Sequence, residues 1–195
     1  MNTPNPGAEQ RPNHETQPEN RPRIYVASLS DYNAGRLHGT WLDATADADE
    51  MNDGITTMLA ASPVPNAEEW AIHDYEGWGP LRLPEYESID TIARLADGIA
   101  THGLAFAHWA ALVGTDADEL DRFDDAYLGH WPSVEDYARD HLDDCGLDRI
   151  IEEHVPDSLQ PYLTVDVDGF ARDLEYSGDI TASEGDDGVY LYANY

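Results

Sequence analysis

Carboxylates dominate the side chains that could do chemistry, and the stretch 115–125, TDADELDRFDD, concentrates them. Asp116, Asp118, Glu119, Asp121, Asp124 and Asp125 crowd there with only Arg122 to oppose them. Carboxylates can divide acid and base work, hold a hard cation, or present a field to a cationic surface. The first two uses need a defined geometry. In a chain with 40 acidic residues and 10 basic ones, any two acids meet through composition, so a glycosidase-type pair has no distinct signal. Two like charges about 8 Å apart in water repel by about 0.5 kcal/mol, less in salt. One such pair is negligible, but a chain full of them calls for a physical reason.

Other chemistries leave little trace. There is no G-x-S-x-G, no glycine-rich phosphate loop and no dinucleotide fingerprint. Cys145 lies in DDCG, an anionic setting unsuited to a thiolate nucleophile. None of the eight histidines forms H-E-x-x-H or a comparable zinc spacing. His102 with His108, or His130 with His141, are the pairs with a chance to converge, but satisfied or exposed histidines are far commoner. The segments DATADADE (43–50) and DVDG (166–169) resemble calcium loops in part. Neither completes D-x-[DN]-x-[DN]-G with its closing glutamate. The expectation is a protein that is not an enzyme, with no cofactor and no metal site.

The charge itself is the informative feature. The net charge is −30, the pI is near 4.1, and every basic residue is arginine. Through Arg23 three acids balance three arginines, so the whole net charge falls on the remainder. That excludes a nucleic-acid binder working through phosphate contacts and argues against docking on anionic membranes. A basic protein surface is the natural partner. A helix with an acid every two or three residues carries about one charge per 3–5 Å of axis, against one phosphate per about 3.4 Å on a DNA strand. At this level three readings stand: halophilic adaptation, a generic acidic soluble protein, and DNA mimicry.

These charges need elements to hold them. Hydrophobic residues make up 41% and aromatics 10%, enough for a buried core. The single cysteine rules out an intrachain disulfide, which fits a reducing cytoplasm. No run of 18 apolar residues predicts a membrane span, and the N-terminus lacks a secretory h-region. Residues 1–22, rich in Pro, Asn, Gln and Glu, read as a disordered tail.

The pattern after the tail predicts an α+β fold in three small parts. The first, 23–84, is an antiparallel sheet with one helix: a strand at 23–29, a loop at 30–35, a strand at 36–44 with a possible bulge at Gly39, a helix at 47–62 capped by Thr45 or Asp47, and a strand at 68–78. In that last strand Trp70, Ile72 and Asp74 are expected to face opposite to Ala71, His73 and Tyr75. The second part, 85–125, is helical: 88–103 capped by Ser88, a more buried 104–114, and a short exposed helix in the acidic stretch. The third, 126–195, mixes helix and antiparallel sheet. It has a helix at 131–146 capped by Ser133, short helices at 147–155 and 167–175, and a closing hairpin with Asp187-Gly188 as turn signal. YESIDTIAR (86–94) and WPSVEDYAR (131–139) echo one another; both read as capped helix starts.

The segment RIYVASLSDYNAGRLHGTWLDA (23–44) resembles the opening of the ArdA antirestriction proteins. The resemblance continues through EEWAIHDYEGW, EYESIDTIARLA, WPSVEDYARDHLDDCG, FARDLEYSGDI and VYLYANY, in the family's order, and leaves the tail outside it. It implies a DNA mimic that inhibits type I restriction–modification enzymes by occupying the DNA groove of the methyltransferase core. It also implies an elongated three-part fold and a homodimer assembled through C-terminal parts. Such a dimer would carry about −60, the charge of roughly 30 base pairs at two phosphates per pair.

On that view the acids stand in for phosphates. The candidates are Asp47, Asp49, Glu50, Asp53, Glu68, Glu69, Asp74, Glu76, Glu85, Glu87, Asp90 and Asp97 in the first two parts. From the acidic stretch onward they are Asp116, Asp118, Glu119, Asp121, Asp124, Asp125, Glu135, Asp136, Asp140, Asp143 and Asp144. GVYLYANY (188–195) is placed equally well for a dimer seam or for internal sheet packing. An acidic halophile-type protein, or a module that sequesters basic DNA-binding proteins, is the alternative function.

Overall fold

A computed structural model describes residues 21–194; of the expected tail, only Arg21 and Pro22 fall within it. The fold is α+β, with two small antiparallel sheets among the described residues. The chain divides into two compact units, the first through Ala107 and the second from His108.

The first unit begins with β1 (Arg23–Ser28), whose Ile24, Val26, Ala27 and Ser28 are buried. It is the centre of a three-stranded sheet, flanked by β2 (Gly39–Asp43) and β3 (Trp70–Glu76), both antiparallel to it. A short helix, α1 (Leu29–Asn33), follows β1 at once, in place of part of the expected loop. Ser28 starts it: its hydroxyl accepts the Asp31 N–H at 3.3 Å. Because α1 takes up the chain, β2 starts only at Gly39, shorter than the predicted strand.

Gly39 is not a bulge; it pairs in register with Ala27. The irregularity lies on the other side. Tyr25 pairs with Asp74 and Val26 with Ile72, which leaves His73 as the extra residue. The expected alternation along β3 is therefore broken. Ala71 and Ile72 are both buried, and His73 and Asp74 are both exposed.

α2 (Ala48–Ala60) packs on this sheet, and α3 (Ile89–His102) packs against α2. α2 starts at Asp47, whose carboxylate accepts the Glu50 N–H at 2.7 Å, so Asp47 rather than Thr45 is the cap. Met51, Ile55 and Met58 form its buried stripe. α3 starts at Ser88, which accepts the Thr91 N–H at 3.1 Å, and ends at Gly103 with φ 67°. Its Ile89, Ile92, Leu95, Ala96 and Ile99 are buried. α4 (Leu104–Val113) carries the division between the units within it.

In the second unit the acidic stretch is not one exposed helix. It forms two single turns, α5 (Ala117–Leu120) and α6 (Phe123–Ala126), because Leu120 and Phe123 turn inward. A strand that the pattern did not reveal follows, β4 (Tyr127–Trp131). Its register shifts between Tyr127 and Gly129, the latter at φ 123°. α7 (Val134–Asp144) starts at Ser133, which accepts the Asp136 N–H at 3.1 Å. α8 (Leu147–His154) buries none of its residues, and Ile150, Leu159, Tyr162, Leu163 and Val165 are exposed on it and on the segment after it. α9 (Val167–Tyr176) precedes the hairpin of β5 (Ile180–Gly185) and β6 (Gly188–Ala193). Gly185 pairs with Gly188, so the turn is centred on Asp186-Asp187, one residue before the predicted pair.

The strand order is β4-β6-β5, with β6 in the middle. Val189 and Leu191 pack with Ile180, Trp131, Val134, Tyr137 and Leu174. Tyr192 lies against Trp109 and Tyr127 instead. Burial holds the Tyr192 hydroxyl protonated far above the usual tyrosine range. GVYLYANY is thus internal packing over Val189, Leu191 and Tyr192, which are all buried.

Candidate partner-binding surface

The acids named from the sequence belong to helix starts, strand edges and the turns between them. Asp47, Asp49, Glu50 and Asp53 gather on the first turns of α2, where the helix dipole favours negative charge. Glu68 and Glu69 precede β3, Asp74 and Glu76 lie on it, and Glu85 and Glu87 lead into α3, which carries Asp90 and Asp97. In the second unit Asp116 caps α5, accepting the Asp118 and Glu119 N–H groups at 3.0 and 3.4 Å. Asp121 follows α5, and Asp124 and Asp125 occupy α6. Glu135, Asp136, Asp140, Asp143 and Asp144 all belong to α7.

Apart from half-buried Glu87, Glu119 and Asp136, every one of these acids is exposed. Glu76 is paired with Arg23, Glu119 with Arg122 at 3.0 Å, and Asp136 with Arg139 at 3.0 Å. Asp121, Asp124 and Asp125 have hydrogen-bonded or electrostatic neighbours of their own. Among the described residues the others form no ion pair, so their charge is not cancelled locally. α7 shows the spacing best. Five acids in its 11 residues give about one charge per 3.3 Å of axis at 1.5 Å per residue.

Equally exposed acids continue beyond the predicted set, among them Asp148, Glu152, Asp168, Asp173, Glu175 and Asp186. Their signal was present in the sequence, as acids on the predicted C-terminal helices and, for Asp186, in the turn of the closing hairpin. One acid is different in kind. Asp31 is fully buried, accepting from the Ser62 hydroxyl and from Arg36 Nε at 3.3 Å. The Ser62 hydrogen bond leads the causes that hold its carboxyl below the usual range, with help from Ser28, His38 and Arg36 and against burial.

At the suspected cation sites the carboxylates serve the neighbouring backbone. In 43–50, Asp43 accepts the Thr45 N–H and hydroxyl at 2.9 and 2.6 Å, and Asp47 caps α2. In 166–169, Asp166 caps α9 through the Gly169 N–H at 2.8 Å. Among the described residues no group of three or more His, Cys, Asp or Glu is arranged for a metal. His130 stacks on Tyr190 while His141 stacks on Tyr137 and Phe170. His102 lies against Phe106 and His108 against Tyr190. An open groove of about 270 Å³, floored by Trp109 and Leu112, brings only the paired Glu119 and Arg122 as charged groups.

The family model for the antirestriction protein ArdA matches residues 24–187, from β1 to the turn of the last hairpin. The chain belongs to the ArdA family of antirestriction proteins. No curated protein matches the sequence. The ArdA match spans both units and leaves the neutral N-terminal segment outside it. Membership in ArdA directs the functional question to restriction enzymes and makes the exposed acids of both units the surface to consider. Among the described residues no helix of this ArdA chain is long and apolar enough to cross a membrane.

Proposed function

We propose that the protein mimics DNA and inhibits type I restriction–modification enzymes by occupying the DNA-binding groove of their methyltransferase core. It acts by occupancy rather than catalysis, in the cytoplasm where that enzyme meets DNA. The supporting observation is the set of exposed carboxylates that form no ion pair, and on α7 the five acids, of which Asp136 is paired with Arg139, recur at about the axial spacing of strand phosphates, roughly 3.4 Å. A groove built to hold phosphates with arginine and lysine side chains meets the same charge here without sequence information.

Occupancy of the shared groove blocks modification as well as restriction. We propose a homodimer joined through the C-terminal parts. The exposed apolar run of Ile150, Leu159, Tyr162 and Leu163 supports that joint better than the buried β6 does.

The test is competition between the purified protein and a labelled duplex for a type I methyltransferase, repeated as salt rises. Displacement that weakens with salt is expected. Capture of unrelated cationic proteins with equal strength would favour the sequestering module. Unfolding at low salt without any displacement would favour a halophile-type protein.

A further inference from the structure

A cluster of rings and titratable groups in the second unit takes no part in the proposed surface. Tyr190 of β6 stacks with two imidazoles. His108 of α4 lies at 4.4 Å between centroids with 29° between planes, and His130 of β4 at 4.5 Å and 31°. His108 is buried, and its Nδ1 shares a hydrogen with the Ser183 Oγ of β5 at 2.8 Å. His130 Nε2 lies 3.3 Å from Asp187 Oδ1 in the β5–β6 turn. Asp186 of that turn also acts on His108, and both aspartates act on Tyr190. Tyr127 of β4 and Tyr192 of β6 are further titratable neighbours of Tyr190. One helix, three strands and a turn therefore meet at a single set of groups that can gain or lose protons.

We propose that this cluster is a proton-operated clasp: neutral His108 fastens the β5–β6 hairpin to α4, and a proton on His108 loosens it. The neutral ring can stack on Tyr190 and share its Nδ1 hydrogen with Ser183. The charged ring has to be housed in a buried site beside a second imidazole. Burial first, and then His130, oppose that charge; Asp186 favours it and is outweighed. The protonated form is thus disfavoured in the folded chain relative to free imidazole. The sign follows. The unfolded chain takes up this proton near pH 6.5, the folded chain only at lower pH. The fastening is complete above that value and is lost progressively as pH falls below it.

The net charge gives an opposite background. Protonating histidines brings −30 closer to zero and relieves self-repulsion across the molecule. A loosening confined to the hairpin therefore cannot be confused with general acid destabilisation. The clasp does not depend on the function proposed above.

The experiment is amide hydrogen exchange on the full chain at about pH 7.5 and about pH 5.5, corrected for intrinsic rates. Protection of residues 180–193 is expected to be lost at the lower pH relative to that of α2 and α3, because the unfolded chain takes up the His108 proton more readily than the folded one. His108→Gln, which retains a partner for Ser183 but does not titrate, is expected to abolish that pH dependence. Should the variant fail to fold, the imidazole resonances of the unmodified protein decide: His108 is expected to protonate below a histidine-containing reference peptide. Unchanged hairpin protection, equal loosening in the glutamine variant, or protonation of His108 with or above the peptide would each overturn the clasp.

Discussion

The buried carboxylate of Asp31 accepts the hydroxyl hydrogen of Ser62, tying α1 to the chain just past α2 across 31 positions of sequence. Arg36 and the Ser28 hydroxyl, which accepts the Asp31 N–H, complete its surroundings. Asp31→Ala is expected to cost about 1–3 kcal/mol, because it takes the acceptor from the part-buried Ser62 hydroxyl and from Arg36 and leaves a gap at a buried position. Ser62→Ala should cost about 1–2 kcal/mol. Denaturant unfolding at neutral pH measures both.

The same group sets a pH dependence. Its folded carboxyl titrates below the ordinary value of 3.8, so its contribution is present above that value and lost as pH falls beneath it. Unfolding curves taken from neutral to acid pH should show a drop there that Asp31→Asn lacks.

Surface acids should behave as a sum. Replacing Asp49, Asp97 or Asp140 singly by asparagine should change inhibition of a type I enzyme by less than about threefold, since one exposed charge contributes well under 1 kcal/mol. Replacing four unpaired acids of one unit together should weaken it by about tenfold. Titration of inhibitor against fixed enzyme and DNA gives both numbers. A single silent-looking acid that abolished inhibition alone would contradict a distributed field.

Gly98 of α3 has a packing role. A Cβ added there would overlap the Phe106 ring. Gly98→Ala is therefore expected to destabilise by about 1–3 kcal/mol despite alanine's better helix propensity. Thermal melting of the two proteins side by side checks the sign.

The exposed Tyr162 and Leu163 supply the test of self-association. Tyr162→Asp with Leu163→Asp should shift the particle from dimer to monomer in light scattering while circular dichroism stays unchanged, because neither side chain is buried within the chain. A dimer that persists would move the joint elsewhere.

Helix starts were legible because their signals are local. Asp47, Ser88 and Ser133 each cap through an N–H three residues on, so type and spacing suffice to find them. The echo between 86–94 and 131–139 has that origin too. The strand irregularities were not legible, because they are set by a partner strand. Nothing near His73 announces that Tyr25 and Val26 will face Asp74 and Ile72. β4 was missed for a similar reason: Tyr127–Trp131 is five residues long, contains Gly129, and becomes a strand by pairing with β6.

The acidic stretch failed differently. Charge counts hid Leu120 and Phe123, whose burial breaks it into two turns. Of the candidate surface, exposure followed directly from residue type. Which acids are held by Arg23, Arg122 or Arg139 did so only where the partner is three residues away, as for Glu119 and Asp136; the Arg23–Glu76 pair joins neighbouring strands.

The two sheets are assembled in opposite temporal order. In the first, the middle strand is β1, the earliest of the described elements to emerge during synthesis, and its neighbours can add as they appear. In the second, β4 and β5 each pair with β6, which emerges after both. Translation halted a few codons before Val189 would therefore leave two orphaned edges rather than a trimmed sheet, and cellular proteases would meet an N-terminal half already folded beside a C-terminal half that is not.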